Sequence, residues 1–190
     1  MSKLYIEEKT FEKIDFSENE LTKGDYENCT FINCIFSNSD ITRIGFSECE
    51  FKGCNLSMAK ITGMALRDVE FKDCKLTGLH FENCNDLAFY ADFENCILHL
   101  SSFYKLNLKK TRFKNCNLQE VDFTECNLSE SVFDNCDLAR TIFQSTVLEK
   151  ADFRTSYNYS INPETNRIKK AKFSKEGVVG LLDNYDIVVD

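Results

Sequence analysis

Residues 113–133 read Phe113-Lys114-Asn115-Cys116-Asn117-Leu118-Gln119-Glu120-Val121-Asp122-Phe123-Thr124-Glu125-Cys126-Asn127-Leu128-Ser129-Glu130-Ser131-Val132-Phe133, with an apolar side chain at every fifth position. Helical spacing would rotate successive members of that series by about 140°, and a flat strand would send them alternately to opposite faces. Neither geometry buries a period of five. The chain must turn once per repeat, so that each apolar centre points inward.

The rule extends in both directions. Upstream it holds at Phe11, Phe16, Leu21, Tyr26, Phe31, Phe36, Ile41, Phe46, Phe51, Leu56, Ile61, Leu66, Phe71, Leu76 and Phe81. The phase then slips by two residues and resumes at Phe93, Leu98, Phe103 and Leu108, continuing through the stretch above to Leu138, Phe143, Leu148 and Phe153. All ten cysteines fall at the position two residues before a centre, nine of them before an apolar one and Cys84 in the same phase at the slip, which makes that position inward-facing as well. The other three positions of each unit are mostly polar, as a solvated wall and its corners require.

After the slip Phe and Leu alternate strictly, which demands an even number of sides per coil, and four satisfy it. Coils of twenty residues stack Phe11, Phe31, Phe51, Phe71, Phe93, Phe113, Phe133 and Phe153 in one column. Leu21, Ile41, Ile61, Phe81, Phe103, Phe123 and Phe143 form the opposite one, while three-sided coils give no coherent columns. Units such as Cys49-Glu50-Phe51-Lys52-Gly53, Ala91-Asp92-Phe93-Glu94-Asn95 and Cys126-Asn127-Leu128-Ser129-Glu130 resemble the pentapeptide-repeat family, A(D/N)LXX. The resemblance covers about residues 9–155 and implies an all-β, right-handed quadrilateral β-helix. About 7 coils at 4.7–4.9 Å each give a rod roughly 34 Å long. Residues 1–8 are expected to form an N-terminal cap segment and 156–190 a C-terminal one.

The 190 residues carry 31 acids against 23 Lys and Arg, a net of −8, which disfavours direct nucleic-acid binding driven by bulk positive charge. No stretch approaches 18 consecutive apolar residues, so no membrane span is expected. The opening Met-Ser-Lys-Leu-Tyr-Ile lacks the apolar run of a secretory signal, and a reducing, cytoplasmic setting is the expectation for the ten cysteines. In the four-sided register Cys34, Cys54, Cys74, Cys96, Cys116 and Cys136 form a ladder. Parallel side-chain directions in stacked coils oppose a bridge, so reduced core thiols are expected. The alternative, a redox or metal role, has only the Cys29-x4-Cys34 and Cys49-x4-Cys54 spacings behind it, and these place the thiols on different walls. With only His80 and His99, no glycine-rich phosphate loop and no nucleophile elbow, no enzyme activity, cofactor or metal is expected.

Charge sorts by wall. Residues 24–33, 44–53, 64–73 and 84–95, on two neighbouring sides, hold Asp25, Glu27, Glu48, Glu50, Asp68, Glu70, Asp73, Asp86, Asp92 and Glu94 against only Lys52, Arg67 and Lys72. An acidic edge of this kind either fits a positively charged groove built for nucleic acid or merely keeps the rod in solution. Lys109, Lys110, Arg112 and Lys114 interrupt the same walls one coil later. At the slip, residues 84–90 either form a tolerated bulge or expose Phe89 or Tyr90 to a partner.

After Phe153 the period fails. Ser160-Ile161-Asn162-Pro163-Glu164 reads as a turn, Ser174 through Asp183 as a short serine-capped helix, and Ile187-Val188-Val189 as an apolar strand. This tail either caps the open end or also joins two subunits through Val178, Val179, Leu181, Leu182, Ile187 and Val188. Ile161-Asn162-Pro163-Glu164-Thr165-Asn166-Arg167-Ile168 and the closing Leu181-Leu182…Ile187-Val188-Val189 resemble the tails of the McbG and Qnr branch of the family. That branch implies a homodimer resembling B-form DNA that binds DNA gyrase or another type II topoisomerase and protects it from a quinolone or a peptide poison. The reading from another class is a scaffold for an unrelated protein partner.

Overall fold

In the computed structural model, which describes residues 4–85, 87, 89–185 and 187–188, the chain winds into a four-walled parallel β-solenoid. Two walls contain regular strands. The first holds β1 (Leu4–Glu7), β3 (Gly24–Glu27), β5 (Gly45–Ser47) and β7 (Ala65–Arg67), in that order. The second holds β2 (Thr10–Glu12), β4 (Thr30–Ile32), β6 (Glu50–Lys52), β8 (Val69–Lys72), β9 (Ala91–Glu94), β10 (Arg112–Lys114) and β11 (Val132–Asp134). The third and fourth walls are ladders of single bridges, such as Ile35 to Asn55 to Lys75 to Ile97 and His80 to Ser102 to Asp122.

The registers are those the period dictates: Phe31 faces Phe51, Phe51 faces Phe71, Phe71 faces Phe93 and Phe93 faces Phe113. Along this column the rings stack nearly parallel, with centroids 4.7 Å apart at Phe31–Phe51 and 5.1 Å at Phe113–Phe133. The two phenylalanine columns meet edge to face across the core, as Phe103 does with Phe113 at 6.1 Å. Burying each centre contributes about 1.5–3 kcal/mol, an upper figure because the unfolded chain already hides part of its surface.

The corners follow one backbone rule. Two residues after nearly every centre the chain enters the left-handed region, at Asn28, Asn33, Glu48, Asp68 and Asn95 and, where a side chain is dispensable, at Gly53 and Gly78. There the amide turns toward the next coil, so that Asn28 N–H reaches the Ser47 carbonyl at 3.0 Å and Lys110 N–H that of Ser129 at 3.0 Å. Where the next amide also returns to the centre's carbonyl, as Ser101 does to Leu98 at 3.0 Å, the corner is a type II turn. Asparagine amides chain along one corner: Asn95 donates to Asp73, Asn115 to Asn95 and Asn135 to Asn115, at 2.9–3.0 Å.

All ten cysteines are free and buried. Each inward thiol of the ladder lies beside the carbonyl of a centre in the coil before, as Cys54 does with Phe31 at 3.3 Å, Cys74 with Phe51 at 3.3 Å and Cys96 with Phe71 at 3.3 Å. One coil past Cys136 the position passes to Ser156, whose hydroxyl donates to Phe133 O at 2.8 Å. The position therefore selects a small inward donor that can add a side-chain hydrogen bond to the centre's carbonyl, as Thr146 does at Phe123, whose carbonyl also accepts Cys126 N–H at 3.1 Å. Burial pushes Cys49 up to about 11 and Cys84 and Cys126 up to about 12, so these thiols stay protonated and unreactive.

The coil runs on beyond residue 155. Val147 bridges Arg167, Asp152 bridges Lys172, and Phe173 stacks on Phe153 at 5.5 Å, adding a ninth ring to the column. Two irregular positions hid this from the sequence: Asn166 takes an inward donor position, its amide reaching Phe143 O at 2.9 Å, and Pro163 lies in the predicted turn. The expected tail helix is instead two 3-10 turns, Gly177–Leu181 and Asp183–Tyr185. Ser174 does start it, accepting Gly177 N–H at 2.9 Å. The tightness comes from Tyr159, which ends the stack against Phe153 and Phe173: a Cβ on Gly177 would meet its hydroxyl at 2.1 Å. No strand forms at Ile187 and Val188, and Val189 lies outside the described residues.

Replacing Phe113, packed on both sides, with Ala is expected to cost about 3–5 kcal/mol in urea unfolding, and replacing the half-buried terminal Phe11 clearly less. Equal losses would contradict a stack stabilised neighbour by neighbour. A thiol reagent should find no reactive group in the native protein and all ten after denaturation without reductant.

Candidate partner-binding ridge

The corner between the two stranded walls gathers the acids. Glu48 and Asp68 occupy its left-handed positions on successive coils, about 4.8 Å apart by the strand spacing, below Asn28. With Cys49, Glu50 and Glu70 they line a shallow groove of about 330 Å³. Asp25 and Glu27 lie one coil earlier on β3, and Asp92 and Glu94 on β9.

The acids are not equivalent. On the second wall Glu50 pairs with Lys52 at 2.6 Å and Lys72 at 2.9 Å, Glu70 with Lys72 at 2.5 Å, and Glu94 with Lys114 at 2.6 Å. Against a burial that would raise it, Lys52 and Lys72 hold Glu50 below the usual carboxylate range, and Lys114 does the same for Glu94. Asp73 accepts the Asn95 amide, and Tyr5 donates to Glu27. By contrast, among the described residues Glu48 and Asp68 have neither an ion pair nor a side-chain hydrogen bond. Asp92 is raised, by burial first and then by Glu70 and Asp68, although it accepts Arg112 N–H at 2.8 Å. Tyr90 is raised chiefly by Asp92, then by burial and Asp68. The uncompensated carboxylates therefore sit on the corner, at Glu48 and Asp68, rather than evenly over the two walls.

The slip corrects one expectation. Phe89 is buried, at 7% exposure, with its ring 5.9 Å from Phe81 and 6.5 Å from Phe103. Tyr90 is 41% exposed, as expected of one of the pair, and Leu87, which the period did not single out, is 91% exposed. The Phe89 ring takes the inward place beside those two rings, which leaves Tyr90 and Leu87 outside it. Asp86 lies outside the described residues.

The basic interruption is partly absorbed. Lys114 belongs to Glu94, and Lys109 reaches Glu130 at 3.5 Å. Both histidines face outward: His80 Nδ1 meets Glu82 at 2.9 Å and His99 Nδ1 the Gln119 carbonyl at 3.0 Å. Among the described residues no group of three or more His, Cys, Asp or Glu is placed to hold a metal ion, and no helix is long and apolar enough to cross a membrane. In the tail Val178 at 42%, Val179 at 40%, Ile187 at 55% and Val188 at 88% are exposed, whereas Leu181 packs on the core and Leu182 is half-buried.

A rigid parallel solenoid with its chemistry spread along a charged corner defines a β-solenoid of repeated five-residue walls. A profile described as the pentapeptide repeat region matches residues 24–86 and 89–159, breaking only at the slip, and the chain belongs to the pentapeptide-repeat family. Among solved structures, a trypsin-treated form of QnrB1, a plasmid-mediated fluoroquinolone resistance protein, superposes with a TM-score of 0.74 at 18% identity, covering 98% of this chain and 92% of that one. Full-length QnrB1 gives 0.61 at 16% identity, covering 96% and 100%. HetL, a pentapeptide repeat protein involved in heterocyst differentiation regulation from the cyanobacterium Nostoc, gives 0.48 at 14% identity over 89% and 86%. A search of curated proteins by sequence finds no match.

Charge reversal at the corner should change behaviour that reversal on the second wall does not. In anion-exchange chromatography at neutral pH, Glu48→Lys with Asp68→Lys is expected to elute earlier than Glu50→Lys with Glu70→Lys, although the formal charge change is the same. Identical elution would mean that the second-wall lysines do not screen their partners.

Proposed function

We propose that this protein is a non-catalytic, cytoplasmic binder of a type II topoisomerase, DNA gyrase being the leading candidate, that occupies the enzyme's positively charged DNA groove and antagonises a quinolone or peptide poison. The observation that carries the reading is the unpaired corner column of Glu48 and Asp68, flanked by Asp25 and Asp92 and held at coil spacing on a stiff stack. Carboxylates at regular intervals on a rod complement a groove built for a phosphate backbone, and their field guides the encounter. The fold shared with QnrB1 supports this reading, as does the resemblance of the tail to its branch.

A homodimer joined at the C-terminal tail is part of the proposal. The exposed Val178 and Val179 supply its apolar surface, with Ile187 and Val188 beyond them. Leu181 contributes by fixing the turn to the core.

A scaffold with an unrelated protein partner is the second reading, favoured by one feature: Lys110 and Arg112 follow the acids directly on the same corner and wall and would oppose a uniformly basic groove.

DNA supercoiling by gyrase in the presence of ciprofloxacin, titrated with the protein, separates the two. Restored supercoiling at micromolar dimer is expected, and its absence with gyrase from several sources would favour the scaffold. Glu48→Lys with Asp68→Lys should abolish the effect with the β-sheet spectrum unchanged, while Glu50→Lys with Glu70→Lys should weaken it only in part. Val178→Asp with Val179→Asp should halve the mass of the tail-joined particle in sedimentation at physiological salt. An unchanged mass would leave the tail as a cap alone.

A further inference from the structure

The corner that carries Glu48 and Asp68 changes sign halfway along the rod. Coil by coil its left-handed positions run Glu8, Asn28, Glu48 and Asp68 and, past the slip, Lys110, Glu130, Lys150 and Lys170. The first wall follows in part, with Glu7, Asp25 and Glu27 against Arg67 before the slip and Lys109, Arg167 and Lys169 against Glu149 after it, Lys109 being paired with Glu130 and Arg167 with Glu149. Lys110, Lys150, Lys169 and Lys170 are exposed, and among the described residues none of them has an ion pair. Between the two halves stand Leu87, 91% exposed, and Tyr90, 41% exposed. An acidic half, an apolar centre and a basic half thus share one face.

We propose that this face pairs with the same face of a second copy of the chain, antiparallel, about a two-fold axis passing near Leu87 and Tyr90. A two-fold interface must be self-complementary, since whatever residue i contacts on its partner is contacted in turn. Turning the column end for end about the slip sets Glu8 against Lys170, Asp68 against Lys110 and the neutral Asn28 against Lys150. Glu48 against Glu130 is the one like-charged meeting. Leu87 meets its own copy at the centre, where interfaces exclude water, and the charges form the rim. A nucleic acid would satisfy the lysine half but be repelled by the acidic half and by a net charge of −8. A second copy offers both signs. The pairing does not use the tail and does not depend on the topoisomerase reading. It does cover Glu48 and Asp68, so a self-paired rod has no free acidic corner for another partner.

The test is sedimentation velocity on the full chain carrying Val178→Asp and Val179→Asp, so that tail contacts do not contribute. At low ionic strength a dimer is expected, its dissociation constant rising about tenfold or more as salt shortens the Debye length from roughly 30 Å to 8 Å. Leu87→Ser, at a side chain in solvent, should weaken it as strongly. Lys110→Glu, Lys150→Glu and Lys170→Glu together should give monomers, as should Glu8→Lys, Glu48→Lys and Asp68→Lys together. Both residue types already occupy this corner in the left-handed conformation, so neither set strains the backbone, and native-state thiol silence reports that each is folded. The decisive result is an equimolar mixture of the two reversed proteins forming a heterodimer. Monomers at low salt, a salt-insensitive dimer, or a mixture that stays monomeric would overturn the proposal. So would binding of a labelled DNA duplex through the lysine half without self-association. If either reversed set fails to fold, Leu87→Ser and the salt series decide alone.

Discussion

A left-handed residue two places after nearly every buried centre is the constraint on which the rest of the molecule depends. It lets a chain of L-residues turn a right-angled corner within five residues, and it aims the corner amide at a carbonyl of the following coil. That conformation disfavours most side chains by about 1–2 kcal/mol per residue. Here it is imposed on Glu, Lys, Arg, Met and Leu as well as on Asn and Gly. Only a repeated gain can sustain a repeated strain, and the gain is the centre beside it: a ring or a leucine stacked between identical neighbours above and below. Corner and core are therefore one device.

The same coupling explains the inward cysteines without redox chemistry. The centre's carbonyl lies within reach of the tube's interior and has a second lone pair to offer beside any backbone N–H it accepts, as at Leu108 and Phe123. A thiol fits the space, tolerates an apolar neighbourhood and offers a weak donor. Ser131, Thr146, Ser156 and Asn166 do the same work with stronger donors toward the C-terminal end. Thiols standing one above another each lie beside a carbonyl of the coil before, and all are free and buried.

Walls, columns and the ladder of thiols were legible in the sequence because a period of five forces one turn per repeat and the alternation of Phe and Leu favours four sides, and Phe51, Phe71 and Phe93 do stack. The last coil was not, since Asn166 and Ile168 stand in for the familiar donor and centre while keeping their geometry. The tail misled for a related reason: its serine cap is real, but Gly177 and Gly180 are small to admit Tyr159 rather than to end a helix. At the candidate site the sequence located the acidic walls but not the hierarchy within them. Pairing of Glu50, Glu70 and Glu94 depends on lysines two residues or a full coil away. It could not tell Phe89 from Leu87 either, because a two-residue slip leaves several apolar side chains competing for one inward place.

That slip is where three properties of the rod change together. The first-wall sheet stops at β7, its last strand before the insertion, while Tyr90 turns to bond Leu66 and Val69. A leucine is pushed outward, and the corner passes from acidic to basic. Extra residues in a strand commonly re-aim a side chain, and a solenoid has few other ways to interrupt its own uniformity. A purely structural insertion would be expected to bury its apolar residue and leave the charge pattern on either side alike. The coincidence of exposure with a reversal of sign instead marks the slip as the middle of a surface, and net charge alone conceals it, because the basic half offsets much of the acidic one.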